Sequence, residues 1–215
     1  LLSVGQASSS STWNDPRVAS LFIAEDEVVG VESPRDELIS RLVGAESKRV
    51  VISLVGMAGI GKTTLAKKVY DNQIVTGHFD CHAWIPVSQS FKSNKKKDVL
   101  KKMIKQFHKA GKDFAPEGIE TMEETSLISE LREYLQPKRY VVVFDDVWTV
   151  HLWRFIKYAL PNNHKGSRVI ITTRNDDIGS SCKESSLDIV QKVWPLPEEK
   201  AWELFCRKAF QSNTG

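Results

Sequence analysis

The sequence predicts an α/β fold in three layers, with helices on both faces of a five-stranded, mostly parallel sheet. Short apolar runs alternate with amphipathic stretches along most of the chain. The runs are apolar on both sides, which suits parallel strands covered above and below rather than a half-wet antiparallel sheet. A glycine-rich loop follows the first run directly and opens into a helical pattern. In such a fold, ligands sit beyond the carboxyl ends of the strands.

Size and charge set the outer bounds. The 215 residues, 41% hydrophobic and 27% charged, suit one α/β domain with a packed core, or one domain with a loose arm. A net charge of +3 is too small to demand a nucleic-acid or membrane partner, and no apolar run reaches the roughly 18 residues of a membrane span. Leu1, Leu2, Ser3, Val4 and Gly5 have no basic flank and no initiator Met, so they read as the start of a cut fragment, not a signal peptide. Cys81, Cys182 and Cys206 are few and irregularly spaced. That favours a reducing compartment over a disulfide framework or a zinc site. Cys81 and His82 are adjacent, but on a strand they point to opposite faces and make a poor metal pair.

Residues 1–20 carry a Ser/Thr run and then Asn14, Asp15 and Pro16, which is the chemistry of a flexible linker. Order is expected to begin near residues 21–23 or at Val28. Ser33, Pro34, Asp36 and Glu37 signal a helix start with Ser33 as N-cap, and Gly44 is expected to stop that helix. Residues 49–55 read as a buried strand and 62–71 as a helix. Residues 81–87 form the next strand, followed by a basic helix over 96–108 and an amphipathic one over 124–135. The apolar run 140–144 is a strand, 150–159 a helix, 168–172 a strand and 188–193 a weaker one. Pro197 opens a last helix that carries Trp202, Leu204, Phe205 and Phe210.

The loop reads Gly56, Met57, Ala58, Gly59, Ile60, Gly61, Lys62, Thr63, Thr64 and matches the phosphate-loop pattern, in the strand-to-helix setting that confirms it. Gly56 and Gly61 let consecutive N–H groups turn toward a phosphate, and the helix start adds its positive end. Lys62 supplies a point charge for the β and γ oxygens. The Thr63 hydroxyl suits Mg²⁺, and Thr64 either caps the helix or touches the α-phosphate. The expected architecture is therefore a three-layer P-loop NTPase fold.

A second buried strand ends in Asp145 and Asp146, placing two carboxylates at the same sheet edge. Asp145 is the candidate Mg²⁺ ligand, and Asp146 the candidate general base or orienter of water. A third strand runs into Thr172, Thr173 and Arg174. Arg174 fits either a fork for a terminal phosphate or a surface arginine capping the next turn.

Together and in order, these segments resemble the NB-ARC domain of plant disease-resistance receptors of the coiled-coil NLR class. Val28, Val29 and Gly30 with Glu32 look like the opening motif that lies against adenine. The loop from Gly56 to Thr64 resembles the family's phosphate loop, and the run from Phe79 to Gln89 its next strand. Asp145, Asp146, Val147 and Trp148 resemble the acidic motif, with Trp148 typical of the coiled-coil class. Gly166, Ser167 and Arg168 through Arg174 match the sensor strand, whose arginine reads the γ-phosphate. Leu196, Trp202 to Phe205, Ala209 and Phe210 look like the closing helix. The likeness covers residues 28–211. Two departures stand out: Ala58 where the family usually has glycine, and Val31 where an arginine is common.

The resemblance implies a strand order with the sensor strand between the phosphate-loop and acidic strands. Residues 21–215 would form a nucleotide-binding subdomain that stops before the helical and winged-helix subdomains. It implies ADP or ATP with Mg²⁺ as cofactors, and a switch that rests with ADP, opens with ATP, and hydrolyses slowly or not at all. Implied partners are the receptor's own coiled-coil, helical, winged-helix and leucine-rich-repeat regions, further copies on activation, and, indirectly, a pathogen effector or a guarded host protein. The implied location is the cytoplasm, and the plasma membrane once the full receptor is active. Two alternatives remain: a turnover ATPase with Asp146 as base, although no arginine finger is identifiable, and an interaction module with a vestigial site. The lysine stripe from Lys92 to Lys112 reads as a solvated helix face, with no nucleic-acid partner expected. Trp148, Trp153, Trp194 and Trp202 read as core or subdomain-contact residues. Of the aromatic residues, only those near the opening segment are placed to touch adenine.

Overall fold

The computed structural model describes residues 27–87 and 95–210. The expected linker over 1–20, the start of order at 21–23, and Ser88, Gln89 and Lys92 lie outside the described residues.

Five strands form one sheet: β1 (Val50–Val55), β2 (Cys81–Pro86), β3 (Tyr140–Val147), β4 (Arg168–Thr173) and β5 (Ile189–Lys192). Their order is β2-β3-β4-β1-β5, and every pairing is parallel. The sensor strand β4 thus lies between β1 and β3, as the resemblance implied. Helices cover both faces. On one side α1 (Glu32–Leu42), α2 (Lys62–Tyr70) and α3 (Gln73–His78) bury Leu38, Leu42, Leu65 and Val75 against Ile52, Leu54 and Val143. On the other, α4 (Lys96–Ala110), α5 (Glu124–Leu135) and α6 (Val150–Ile156) bury Leu100, Phe107, Leu131 and Trp153 against Val142, Phe144 and Ile171. Strands β1, β3 and β4 are buried throughout, which explains why they read as continuous apolar runs.

Several boundaries differ from the sequence reading. Helix α1 starts at Glu32 with Val31 in the N-cap position and no side-chain cap, so Ser33 lies inside the first turn. Pro34 is tolerated there because first-turn N–H groups have no intrahelical partner. The helix ends at Leu42, with Val43 rather than Gly44 closing it. Two short helices went unmarked in the sequence: α3 and α7 (Asp176–Ser181). Each follows an asparagine whose side chain accepts from the backbone two residues on, Asn72 from Ile74 N–H at 2.9 Å and Asn175 from Asp177 N–H at 2.7 Å. Strand β3 runs three residues past Phe144 and takes in both acidic residues.

Arg168, read only as a strand residue, is one of the largest fully buried side chains. Its guanidinium donates to the carbonyls of Gly44 (2.9 Å), Glu46 (3.2 Å) and Lys48 (3.3 Å). It thereby ties the α1–β1 connection to the start of β4. Burial and the nearby Arg139 pull its pKa below the ordinary arginine value.

The last helix, α8 (Glu198–Phe210), buries no residue. Trp153 is core, but Trp194 is 73% exposed and Trp202 65%, so core packing fails for those two. Trp202 stacks on Phe205 with ring centroids 5.4 Å apart. The lysine stripe of α4 is partly neutralised, Lys97 by Glu123 at 2.6 Å and Lys101 by Glu120 at 3.3 Å. Among the described residues no helix is long and apolar enough to cross a membrane.

Candidate functional site

The loop between β1 and α2 divides its tasks among three glycines differently from the sequence expectation. Gly59 and Gly61 have φ of 74° and 96°, a left-handed backbone that only glycine adopts freely. Gly56 does not turn the chain this way. A Cβ there would meet the Val193 carbonyl at 2.8 Å and Ile60 Cγ2 at 3.2 Å, so Gly56 is needed for close approach to the chain after β5. Among described non-glycine residues, positive φ occurs at Lys112, Asp146 and His164. Ala58 is not one of them, so an alanine at this position carries no left-handed backbone strain.

Gly61 is the N-cap of α2 and has no side chain to offer. The first N–H groups of that helix are therefore left for an external acceptor. The Lys62 side chain folds back over the loop, donating from Nζ to the carbonyls of Gly56 (2.8 Å) and Met57 (2.7 Å). Its pKa is lowered, first by burial and then by the nearby Arg174 charge, while Asp146 and Asp145 pull the other way. Lys62, Arg174 and both carboxylates therefore share one electrostatic neighbourhood.

The acidic pair sits in a bulge. Phe144 pairs with Ile171 and Val147 with Thr173, so Asp145 and Asp146 together oppose Thr172. An extra residue in one strand bends it and re-aims side chains. Here Asp146 takes φ of 60°. Thr172 holds both members: its hydroxyl donates to Asp145 Oδ1 at 2.7 Å and accepts from Asp146 N–H at 2.8 Å. The Thr63 hydroxyl also donates to Asp145 Oδ1, at 2.9 Å. Asp146 accepts from Trp148 Nε1 at 3.0 Å through Oδ2 and faces Arg174 Nε at 3.4 Å through Oδ1. The Arg174 guanidinium lies over the Trp148 ring, 4.5 Å from its centroid.

Beside the loop opens a cavity of about 540 Å³. Val28, Val29 and Val31 line one wall, Leu196, Ala201 and Leu204 another, and residues 57–61 with Thr64 the floor. Gly30 does not line it. Its φ is 71°, and a Cβ there would meet Leu196 Cδ2 at 2.8 Å, so Gly30 lets the two walls approach. Val31, where an arginine is common, adds an apolar side chain. Glu27 and Lys208, which also line the cavity, pair at 2.7 Å. No aromatic residue is among the described lining residues.

The candidate residues thus fall into two adjoining groups, a mostly apolar chamber and a charged floor of Lys62, Thr63, Asp145, Asp146 and Arg174. The size and apolar walls of the chamber suit a flat base. The hard oxygens of Thr63 and Asp145, already hydrogen-bonded, suit Mg²⁺. Sequence reading missed Thr172 as the residue that positions both carboxylates. Its place just before Arg174 on the sensor strand was the available signal. Lys208 and Ala201 carried none.

Comparison with known proteins places the chain in a family and a fold. The NB-ARC domain family model matches residues 31–215. Disease resistance protein RPM1 of Arabidopsis thaliana is 41% identical over 207 residues, which is 93% of this chain and 21% of that protein. ToMV resistance protein Tm-2(2) of Solanum lycopersicum is 36% identical over 200 residues, 91% of this chain and again 21% of the relative. The chain spans about a fifth of the length of these relatives. Among solved structures, the ORC2 protein of Aeropyrum pernix, described in ADPNP–ADP complexes, superposes with a TM-score of 0.59 at 16% identity over 91% of this chain and 56% of that one. A signal-transduction ATPase with a tetratricopeptide-repeat sensor from Pyrococcus horikoshii gives 0.51 at 21% identity, over 87% of this chain and 26% of that one. At these identities the two structures show a shared fold only.

Proposed function

The chain belongs to the NB-ARC domain family, and from that premise we propose that it is the ADP/ATP-binding switch of an intracellular plant immune receptor. The observation that carries the reading is the charged floor, where Arg174 and Lys62 share a field with Asp145 and Asp146 at the carboxyl edge of β1, β3 and β4. Val28 and Val29 in the chamber wall would hold the adenine, and residues 56–64 would receive the polyphosphate. Lys62, which donates to the loop carbonyls of Gly56 and Met57, would turn to the β and γ oxygens of a bound nucleotide. Thr63 and Asp145, joined at 2.9 Å, would hold Mg²⁺, which when bound would neutralise phosphate charge. Arg174 answers to the terminal phosphate.

A switch needs two states that differ in affinity for two shapes, and the γ-phosphate is the difference between the two nucleotides. Both oxygens of Asp146 are engaged, by Arg174 and by Trp148, which favours a held carboxylate over a free general base and therefore slow or no hydrolysis. The proposed nucleotide-binding subdomain is the stretch 21–215, of which 27–87 and 95–210 are described. In the full receptor its partners are the coiled-coil, helical, winged-helix and leucine-rich-repeat regions, further copies on activation, and, indirectly, an effector or guarded host protein. The cytoplasm is the proposed location, and the plasma membrane after activation. A multiple-turnover ATPase assay tests the reading: the chain should complete well under one turnover per second. Several per second would establish an ordinary ATPase instead.

A further inference from the structure

In the reading above Trp148 only holds one oxygen of Asp146, yet it touches both Asp146 and Arg174. Its indole N–H donates to Asp146 Oδ2 at 3.0 Å, and its ring lies 4.5 Å beneath the Arg174 guanidinium. Arg174 Nε faces the other oxygen of the same carboxylate at 3.4 Å. Asp146 reaches this position through the bulge opposite Thr172 and a left-handed φ of 60°, a backbone state that persists only where its surroundings hold it. The Arg174 side chain is 43% exposed, so the core does not fix its direction. What directs it is the carboxylate beside it and the ring beneath it.

We propose that Trp148 and Asp146 form a parking site for Arg174, so that a terminal phosphate must win the guanidinium from this pair before the arginine can read it. The proposal rests on the switch reading and deepens it. Trp148 is a positioning residue: it acts on the nucleotide only through Arg174 and Asp146. The parked arginine has its charge offset by a carboxylate and its face covered by a π-system, both favourable to a guanidinium. A diphosphate lacks the group that competes for Arg174, so the parking site penalises triphosphate and leaves diphosphate untouched. It therefore sets the ratio of the two affinities, and the occupancy of the resting state follows from that ratio.

The test is calorimetric titration of Mg²⁺-ADP and of Mg²⁺-AMP-PNP, a non-hydrolysable triphosphate, into wild type and variants. Trp148→Ala should raise affinity for AMP-PNP relative to ADP by about twofold to fivefold, the worth of a partly exposed cation–π contact. Trp148→Phe keeps the ring and should stay closer to the wild-type ratio. Asp146→Asn, which tolerates the left-handed backbone, should move the ratio in the same direction as Trp148→Ala and guards against a folding defect at Trp148. In a Trp148→Ala/Arg174→Ala double variant the shift should vanish. Equal changes in both affinities, or an unchanged ratio in Trp148→Ala and Asp146→Asn, overturns the parking site while leaving nucleotide binding intact. If Arg174→Ala alone leaves the ratio unchanged, both the parking site and the sensor role of Arg174 fall. No binding of either nucleotide to wild type overturns the switch reading as well.

Discussion

The Thr63 hydroxyl lies 2.9 Å from Asp145 Oδ1, joining the first turn of α2 to the bulge of β3 by one hydrogen bond. These are also the two hard oxygens proposed for Mg²⁺. Asp145→Asn should leave metal-free ADP affinity close to wild type and abolish most of the gain from added Mg²⁺. Titrations in Mg²⁺ and in EDTA check this. An undiminished Mg²⁺ effect would mean that the cation is held elsewhere.

Lys62 gives a prediction in pH. Burial lowers its pKa from the ordinary 10.5, so the unfolded chain binds the extra proton at pH values between the folded value and 10.5. Stability must rise with pH through that window wherever this group dominates. Lys62→Met should flatten the rise in thermal midpoints measured against pH. A polyphosphate needs the ammonium form, so nucleotide affinity should fall over the same alkaline range. A pH-independent affinity there would contradict the role given to Lys62.

The loop glycines separate by cause. Gly56→Ala places a Cβ 2.8 Å from the Val193 carbonyl and should lower nucleotide affinity by displacing the loop from the chain after β5. Ala58→Gly should leave affinity unchanged and reduce stability by about 0.4–1 kcal/mol, through the added freedom of the unfolded chain. Thermal unfolding with parallel titrations reads both. Tighter binding by Ala58→Gly would show that the alanine strains the loop.

Arg168 holds the α1–β1 connection by its hydrogen bonds to Gly44, Glu46 and Lys48. Arg168→Leu leaves those carbonyls without their charged donor and should cost about 3 kcal/mol or more. Chemical denaturation measures this directly. A loss below about 1 kcal/mol would mean that the connection is held by other contacts.

Much of this was legible in the sequence because it depends on local pattern. The buried strands announced themselves by runs such as Val50–Val55, and the phosphate loop by glycine, lysine and threonine at fixed spacing. The strand order came only with the family resemblance, since parallel pairing joins residues distant in sequence, as with Val50 and Arg168. The bulge at Asp145 and Asp146 was not legible, because a two-against-one register depends on the neighbouring strand. For the same reason Thr172 looked like an ordinary strand residue, although it bonds both carboxylates. The helices α3 and α7 were missed although Asn72 and Asn175 marked their starts, because six residues are too few to show a helical period.

The central claim is that residues 56–64, with Lys62 above them, receive the polyphosphate of a nucleotide. Its most direct test is titration of ADP with Mg²⁺ into wild type and Lys62→Ala under identical conditions. Saturable one-to-one binding to wild type, lost or weakened at least tenfold in the variant, is the predicted result; removing a hydrogen bond to a charged group alone costs about 1.5–3 kcal/mol. Equal, weak binding to both proteins would contradict it and leave the loop as a vestige.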